Sequence, residues 1–286
     1  MADPGFWRSQ LDPERVLNVQ VTRWQDEQQQ RREDYLTVEE PFEIRIDGRS
    51  LAVIMRTPGH DFELAMGFLL TEGVISSPDE VLALEDAIDA DGLPLANVVN
   101  ISLRQREQSE ALVSRSAAFE RHFAVSASCG LCGKNSIDDL MLSLPPLEPG
   151  DVRFSASRIY DLPAKLRGGQ SVFSHTGGLH AAGLFTEQGE LCLLREDVGR
   201  HNAVDKIIGY GLRHGDFPYD RHLLVVSGRT SFEILQKALL ARIPCVAAIS
   251  APSSLAVELA GQAGITLIGF LRDRSMNVYT HAERII

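Results

Sequence analysis

Leu223-Leu224-Val225-Val226-Ser227-Gly228-Arg229-Thr230-Ser231-Phe232-Glu233 is an apolar run, a polar turn and the opening of a helix. The run Leu223 to Val226 has no polar position, as expected of a strand buried on both faces. Thr230-Ser231-Phe232-Glu233 has the spacing of a capping box, so a helix is expected from there. Cys245 to Ile249 is a second apolar run, Ser253 to Gln262 a second helix and Ile265 to Leu271 a third strand. A β-α-β-α-β order implies parallel strands joined by right-handed crossovers. Ligands of such sheets bind beyond the carboxyl ends of the strands.

The residues at those ends are polar: Ser227-Gly228-Arg229-Thr230, Ser250-Ala251-Pro252-Ser253-Ser254 and Arg272-Asp273-Arg274-Ser275. The topology gathers them at one edge, with two helix N-termini and three arginines, which suits an anion such as phosphate. The competing expectation is that the arginines pair with Asp273, Glu233 or the C-terminal acids.

Upstream, Val172-Phe173-Ser174-His175-Thr176, Gly177-Gly178 and Leu179 to Phe185 read as a hairpin, with Leu191 to Leu194 pairing onto it. A helix is expected from near Asp197, with Ala203, Val204, Ile207, Ile208 and Leu212 as its core stripe and His201, Asn202, Asp205 and Lys206 on other faces. His175, His180 and His201 are each more often hydrogen-bonded structural histidines than chemical groups. Glu196, Asp197 and Asp205 are expected to cap a helix or to pair with Arg195, Arg200 or Lys206.

The first half is α+β. Val16 to Val21 alternates as a strand does, and the polar run Asp26 to Asp34 reads as a solvated loop. Phe42 to Ile46 and Leu51 to Met55 flank Asp47-Gly48, a hairpin signal. A helix over Leu64, Ala65, Phe68 and Leu69 stops at Gly73, and Asn97 to Leu103 is a further strand. Leu144-Pro145-Pro146-Leu147-Glu148-Pro149-Gly150 is the clearest break in the chain. The expected divisions are a tail over 1–14, an α+β domain over 15–125, a cysteine loop and connector over 126–150, and an α/β domain over 151–286.

The chain has 286 residues, 44% of them hydrophobic, and a net charge of −11. That balance argues against nucleic acid or an anionic membrane as partner, while leaving room for a local basic pocket. Residues Ile243 to Leu271 carry one charge, Glu258, but Pro252, Gly261 and Gly264 interrupt them, so buried strands and a helix are expected rather than a membrane span. The N-terminus has no signal-peptide pattern, and four cysteines are too few for a disulfide framework, which points to a reducing cytoplasm.

Two of those cysteines lie in Ser126-Ala127-Ser128-Cys129-Gly130-Leu131-Cys132-Gly133-Lys134. Glycines and small residues leave the sulfurs reachable, and Lys134 with a following helix start would favour thiolate. Cys245 has apolar neighbours and reads as structural. The pair alone admits a zinc site, a redox pair, a deaminase-type site or a thiolate that passes on a group. Zinc would need two further ligands, for which Cys192, His175 and His180 are available in principle. A thioredoxin-like pair would follow a strand, and a zinc deaminase would need His-x-Glu and Pro-Cys-x-x-Cys, absent in that form. No metal is therefore expected, and sulfur or acyl transfer is slightly favoured.

The segments Ser128 to Gly133, Met55-Arg56-Thr57-Pro58-Gly59-His60-Asp61 and Arg195-Glu196-Asp197-Val198-Gly199-Arg200-His201-Asn202-Ala203-Val204-Asp205-Lys206 closely resemble the FdhD family of formate dehydrogenase accessory sulfurtransferases. Ser174 to Gly178, Ser227 to Glu233 and Gly269 to Arg272 match as well. The resemblance implies a carrier that takes persulfide sulfur from a cysteine desulfurase. The carrier would pass it to the molybdenum cofactor, bis-molybdopterin guanine dinucleotide, before formate dehydrogenase receives that cofactor. The cofactor would be a bound substrate, with no permanent cofactor.

The resemblance places the persulfide on Cys129 and cofactor binding on Phe270, Leu271, Arg272, Asp273, Arg274 and Ser275; Cys132, nearer to Lys134 and the expected helix start, is expected to assist, although local electrostatics alone would favour it as the carrier. Ser227, Gly228, Arg229, His175, Thr176 and His201 join that candidate site from the other matching motifs and the strand-end argument. It also implies a C-terminal α/β domain like the cytidine deaminase scaffold without zinc, behind a small N-terminal α+β domain, in a cytoplasmic homodimer. The alternative is a cofactor-binding chaperone without catalysis, its cysteines ligating metal or acting as a redox pair.

Overall fold

Three sheets organise the computed structural model, which describes residues 12–104, 145–148 and 150–286. The strands of the first half are β1 (Val16–Gln25), β2 (Gln28–Thr37), β3 (Glu40–Ile46) and β4 (Arg49–Arg56). Helix α1 (Asp61–Thr71) follows, then β5 (Val81–Ile88) and β6 (Pro94–Leu103). The second half begins with three short helices, α2 (Ala156–Ile159), α3 (Leu162–Gly169) and α4 (Ser171–Thr176). After them come β7 (His180–Phe185), β8 (Leu191–Asp197), α5 (Arg200–His214), β9 (Leu223–Val226) and α6 (Phe232–Leu240). The chain closes with β10 (Cys245–Ala248), α7 (Ser254–Ala263), β11 (Thr266–Arg272) and β12 (Ser275–Thr280).

The six-stranded sheet has the order β12-β11-β10-β9-β7-β8, with β9, β10 and β11 parallel and the other pairings antiparallel. Its central strands are buried on both faces, and the pleat assigns alternate residues to opposite layers. Leu224, Val226, Val246 and Ala248 join the core beneath α5, α6 and α7. Leu223, Val225, Cys245 and Ala247 join Phe154, Leu162 and Leu166 on the other side. The expected strand-helix alternation from Leu223 to Leu271 is present. The expected capping box is not: the N-cap of α6 is Ser231, whose side chain makes no capping bond.

The four-stranded sheet has the order β4-β3-β6-β5, with β6 parallel to β3. The Asp47-Gly48 hairpin forms as expected. Residues Glu63 to Thr71 of α1 are all buried, because α1 is enclosed between the first half and α5. The two helices cross at backbone contact. A Cβ added to Gly67 would collide with the Asp205 carbonyl, and one added to Gly209 with the Glu63 carbonyl.

Two expectations are corrected. The polar run 26–34 is not a loop: from Gln28 it forms β2, paired with β1 along its length. Both faces of this ribbon meet solvent over most of its length, so no apolar alternation marked it. Residues 171–176 are helix, not the first arm of a hairpin. Glu196 accepts hydrogen bonds from the backbone N–H of Val172 (3.1 Å) and Phe173 (2.9 Å), which anchors that first turn from across the sheet.

Candidate functional site: the carboxyl edge of the central sheet

The three polar loops expected to converge do so. The N–H of Thr230 donates to the Ala251 carbonyl (3.3 Å), and that of Ser253 to the Thr230 carbonyl (3.0 Å). The N–H of Phe270 donates to the Ser250 carbonyl (3.1 Å). Ser253 also caps α7, accepting from the N–H of Ala256 at 3.2 Å. Beyond β10 the strand β11 runs on into a tight turn at Asp273 and Arg274, both with positive φ. Arg272, Asp273, Arg274 and Ser275 therefore stand exposed on a projecting hairpin tip.

Phe270 is also exposed and has φ 52°, a left-handed conformation uncommon for a bulky residue. Leu271 is wholly buried in the core, so it supports the edge rather than facing a ligand. Arg229 is exposed beside Gly228, and Arg274 lies 5.4 Å from the Tyr160 ring centroid. Among the described residues, none of Arg229, Arg272 and Arg274 forms an ion pair; Glu233 pairs with His201 instead, at 2.8 Å.

Strand β7 runs opposite to β9, and β8 opposite to β7, so the start of β7 and the end of β8 reach the same edge. This brings His180 and Arg200 next to Gly228, with His201 beside Ser231 and Glu233 at the start of α6. The Ser227 hydroxyl accepts from the N–H of Ala181 at 2.9 Å. A Cβ at Gly228 would lie 3.2 Å from His180 Nδ1 and 3.7 Å from Arg200 Cδ, so glycine is what lets these groups approach. Burial lowers the His180 pKa, and the nearby Arg200 and His201 lower it further, against a weaker opposing effect of Asp197. His180 is therefore neutral at pH 7.

His175 and Thr176 lie on α4, and their polar atoms are engaged locally. His175 Nδ1 is 2.8 Å from the Ser171 carbonyl oxygen. The Thr176 hydroxyl donates to the Val172 carbonyl at 3.0 Å and accepts from the Thr37 hydroxyl at 2.8 Å. These two residues shape the rim more than they offer free donors. Arg200, whose buried Nε has no partner, was legible only as an ion-pair candidate. The signal for it is the one used for Ser227: a short turn between a strand end and a helix start.

Behind the rim lies a cavity of about 460 Å³, lined in part by Gln170, Phe173, Gly178, His180, Ser227 and Ile249. A larger, charged hollow of about 650 Å³ lies against α1, between Arg56, His60, Glu63 and Arg213. Its carboxylates are largely spoken for. Asp61 receives both Nε (3.0 Å) and one terminal nitrogen (2.9 Å) of Arg56, and Glu63 both Nε (2.6 Å) and one terminal nitrogen (2.9 Å) of Arg195. No group of three or more His, Cys, Asp or Glu side chains among the described residues is arranged to hold a metal ion.

Cys129 and Cys132 lie outside the described residues. Cys245 is wholly buried, and burial pushes its thiol far above the usual range. Cys192 is exposed.

The sequence profile of the FdhD/NarQ family matches residues 37–286. The chain belongs to the FdhD/NarQ family. Among its FdhD relatives, the sulfur carrier protein FdhD of Nocardia farcinica is 49% identical over 89% of this chain and 89% of its own. That of the archaeon Sulfolobus acidocaldarius is 42% identical over 94% of this chain and 98% of its own. A crystal structure of a candidate formate dehydrogenase accessory protein from Desulfotalea psychrophila superposes with a TM-score of 0.72 and 22% identity, over 95% of this chain and all of that one. That likeness extends the FdhD fold to this chain. No helix among the described residues is long and apolar enough to cross a membrane.

Proposed function

We infer that this protein is a sulfur carrier required for formate dehydrogenase activity. The observation that carries the reading is that relatives named sulfur carrier protein align along nearly the whole chain. The family match itself spans both Cys129-Gly130-Leu131-Cys132 and the polar strand edge. The donor in this reading is a cysteine desulfurase. The Cys129 thiolate attacks the terminal sulfur of the desulfurase persulfide; the desulfurase S–S bond breaks, its cysteine leaves as thiolate, and Cys129 holds the sulfur as a new persulfide. Cys132 assists. The enzyme class is sulfurtransferase.

The recipient is the molybdenum cofactor in its bis-molybdopterin guanine dinucleotide form, a bound substrate delivered afterwards to formate dehydrogenase. The edge supports a nucleotide-bearing substrate: Arg229, Arg272 and Arg274 are exposed and free of carboxylates among the described residues, next to the N-terminus of α7. The protein would act in the cytoplasm as a homodimer.

The test is mass spectrometry after incubation with desulfurase and cysteine. Wild type gains one labile sulfur, mapped to the peptide of Cys129; Cys129→Ala gains none and fails to mature formate dehydrogenase, yet binds GDP normally. Full maturation by both Cys129→Ala and Cys132→Ala would end the carrier reading. In calorimetry, Arg272→Ala and Arg274→Ala each weaken GDP by about 1.5–3 kcal/mol through loss of a charge-assisted bond.

A further inference from the structure

The charged hollow against α1 has no part in the chemistry derived so far. Five carboxylates and two arginines line it. Arg56 serves both Glu40 (3.2 Å) and Asp61 (2.9 Å), and Glu63 is held by Arg195 of β8. Arg213 lies over the Phe62 ring, 5.3 Å from its centroid. Glu14 and Asp86 are exposed and have no ion-pair partner among the described residues. Five acids against these three arginines leave the hollow negative, whereas the nucleotide rim is basic. A lysine or arginine side chain of another protein is the complement of such a space.

Asp86 connects the hollow to an apolar tip. It sits on β5, which ends in Ile88, and Leu93 stands across the turn before β6; the two are 64% and 62% exposed. Neither belongs to a core cluster. The tip is held in shape: the Asp89 carboxylate accepts from the N–H of Asp91 and of Leu93, both at 2.9 Å. Two large apolar side chains on a fixed turn, beside an acidic hollow, form a docking surface that needs little ordering on contact. A second copy of this chain does not fit it. β5 is an edge strand with Glu85 and Asp86 near its centre, so edge-to-edge pairing of two copies would oppose like charges.

A sulfur carrier meets two proteins in turn, a donor and a recipient, and this surface is placed for the donor. Arg200 stands at the rim and Arg213 at the hollow, at opposite ends of α5, so about 20 Å separates them along the helix. A protein seated on the hollow leaves the rim open for the cargo and its recipient. Strand β6, which lines the hollow with Ala96 and Asn97, also leads in sequence toward Cys129. We propose that the hollow and the hairpin tip dock the sulfur-donating enzyme, a basic segment of which sets a lysine or arginine beside Glu14 and Asp86 and an apolar side chain on Ile88 and Leu93. This rests on the carrier reading above.

The test follows the initial rate of labile-sulfur gain by the full chain from desulfurase and cysteine, as the concentration of this chain is raised. Asp86→Lys should raise the half-saturating concentration about tenfold and leave the saturated rate unchanged. Added salt should narrow its gap to wild type. The double variant Ile88→Ser, Leu93→Ser should show a deficit of about the same size that salt does not relieve. Glu258→Lys, the same charge change on the exposed face of α7, should behave as wild type. Unchanged half-saturation in both hairpin variants, or an equal shift in Glu258→Lys, overturns the docking surface while the carrier reading stands. Normal sulfur uptake with failed formate dehydrogenase maturation assigns the surface to the recipient and overturns it as well. A wild type that gains no sulfur ends the carrier reading, and the docking surface with it. Thermal melting identifies a fold defect; should the double variant not fold, Asp86→Lys alone decides.

Discussion

Asp197 and Lys206 meet at 2.7 Å with both side chains wholly withdrawn from solvent. The same carboxylate accepts from the N–H of Gly199 (2.8 Å), from Asn202 Nδ2 (2.8 Å) and from the N–H of Thr57 (3.3 Å). Lys206 also donates to the Thr57 carbonyl at 3.0 Å. One carboxylate thus ties the end of β8 and the start of α5 to the segment before α1. Removing the lysine leaves a buried charge with no counterion, so Lys206→Met should cost about 3–5 kcal/mol. Adding Asp197→Asn in that background should recover part of the loss. Urea denaturation measures both; a cost below about 1 kcal/mol would show that the charge finds another partner.

Glu63 supplies a pH signature. Burial alone would raise its carboxyl, but hydrogen bonds from His60 and Arg195, with their charges, outweigh that and bring the pKa down to about 2. A folded pKa below the unfolded value means stability that is complete above about pH 4.5 and is lost as pH falls toward 2. Glu63→Gln should therefore destabilise by about 2 kcal/mol at pH 7, with the gap to wild type closing between pH 4 and pH 2. A gap that stays constant over that range in denaturation curves would assign the loss to packing rather than charge.

Thr230 is wholly buried and its hydroxyl has no hydrogen-bond partner. Valine has the same shape without the polar atom. Thr230→Val should raise stability by about 1 kcal/mol, read as a higher urea midpoint with an unchanged slope. A lower midpoint would reveal a partner for that hydroxyl in solution.

The described cysteines should differ sharply toward iodoacetamide at neutral pH. Cys245 should remain unlabelled until the protein unfolds, because it lies in the centre of the sheet. Cys192 is exposed, but partial burial and the charge of Glu190 hold its thiol above the usual range. It should react more slowly than a free thiol. Peptide mapping over time checks the order; early labelling of Cys245 would mean local opening of β10.

The central strands and their crossover helices were legible because each apolar run is bounded by turn residues and helix starts. The meeting of the three polar loops followed from topology alone. What escaped has physical causes. Strand β2 is exposed on both faces along most of its length, so it carries no apolar rhythm. Residues 171–176, Ser-Val-Phe-Ser-His-Thr, have strand-like composition, and only the distant Glu196 makes their first turn a helix. Asn202, Asp205 and Lys206 were assigned to faces away from the core stripe, yet all are buried. Asp205 finds Thr71 and Lys237 on two other helices, and Asn202 and Lys206 find the Met55 and Thr57 carbonyls in the first half, partners that no local pattern connects. The cavity wall at Gln170 was invisible for the same reason: it forms where α3 and α4 fold over the sheet edge.

The crossing of α1 and α5 at Gly67 and Gly209 bears on how this fold can be recombined. Each helix lays bare backbone against the other, with no side chain between them to absorb a mismatch. Grafting the first half of one relative onto the second half of another therefore transfers a surface that tolerates no added methyl group on either side. Breakpoints between 104 and 145 will yield folded chimeras when both parents bring glycine to this seam, and will fail when one parent has bulk there, however similar the two are elsewhere.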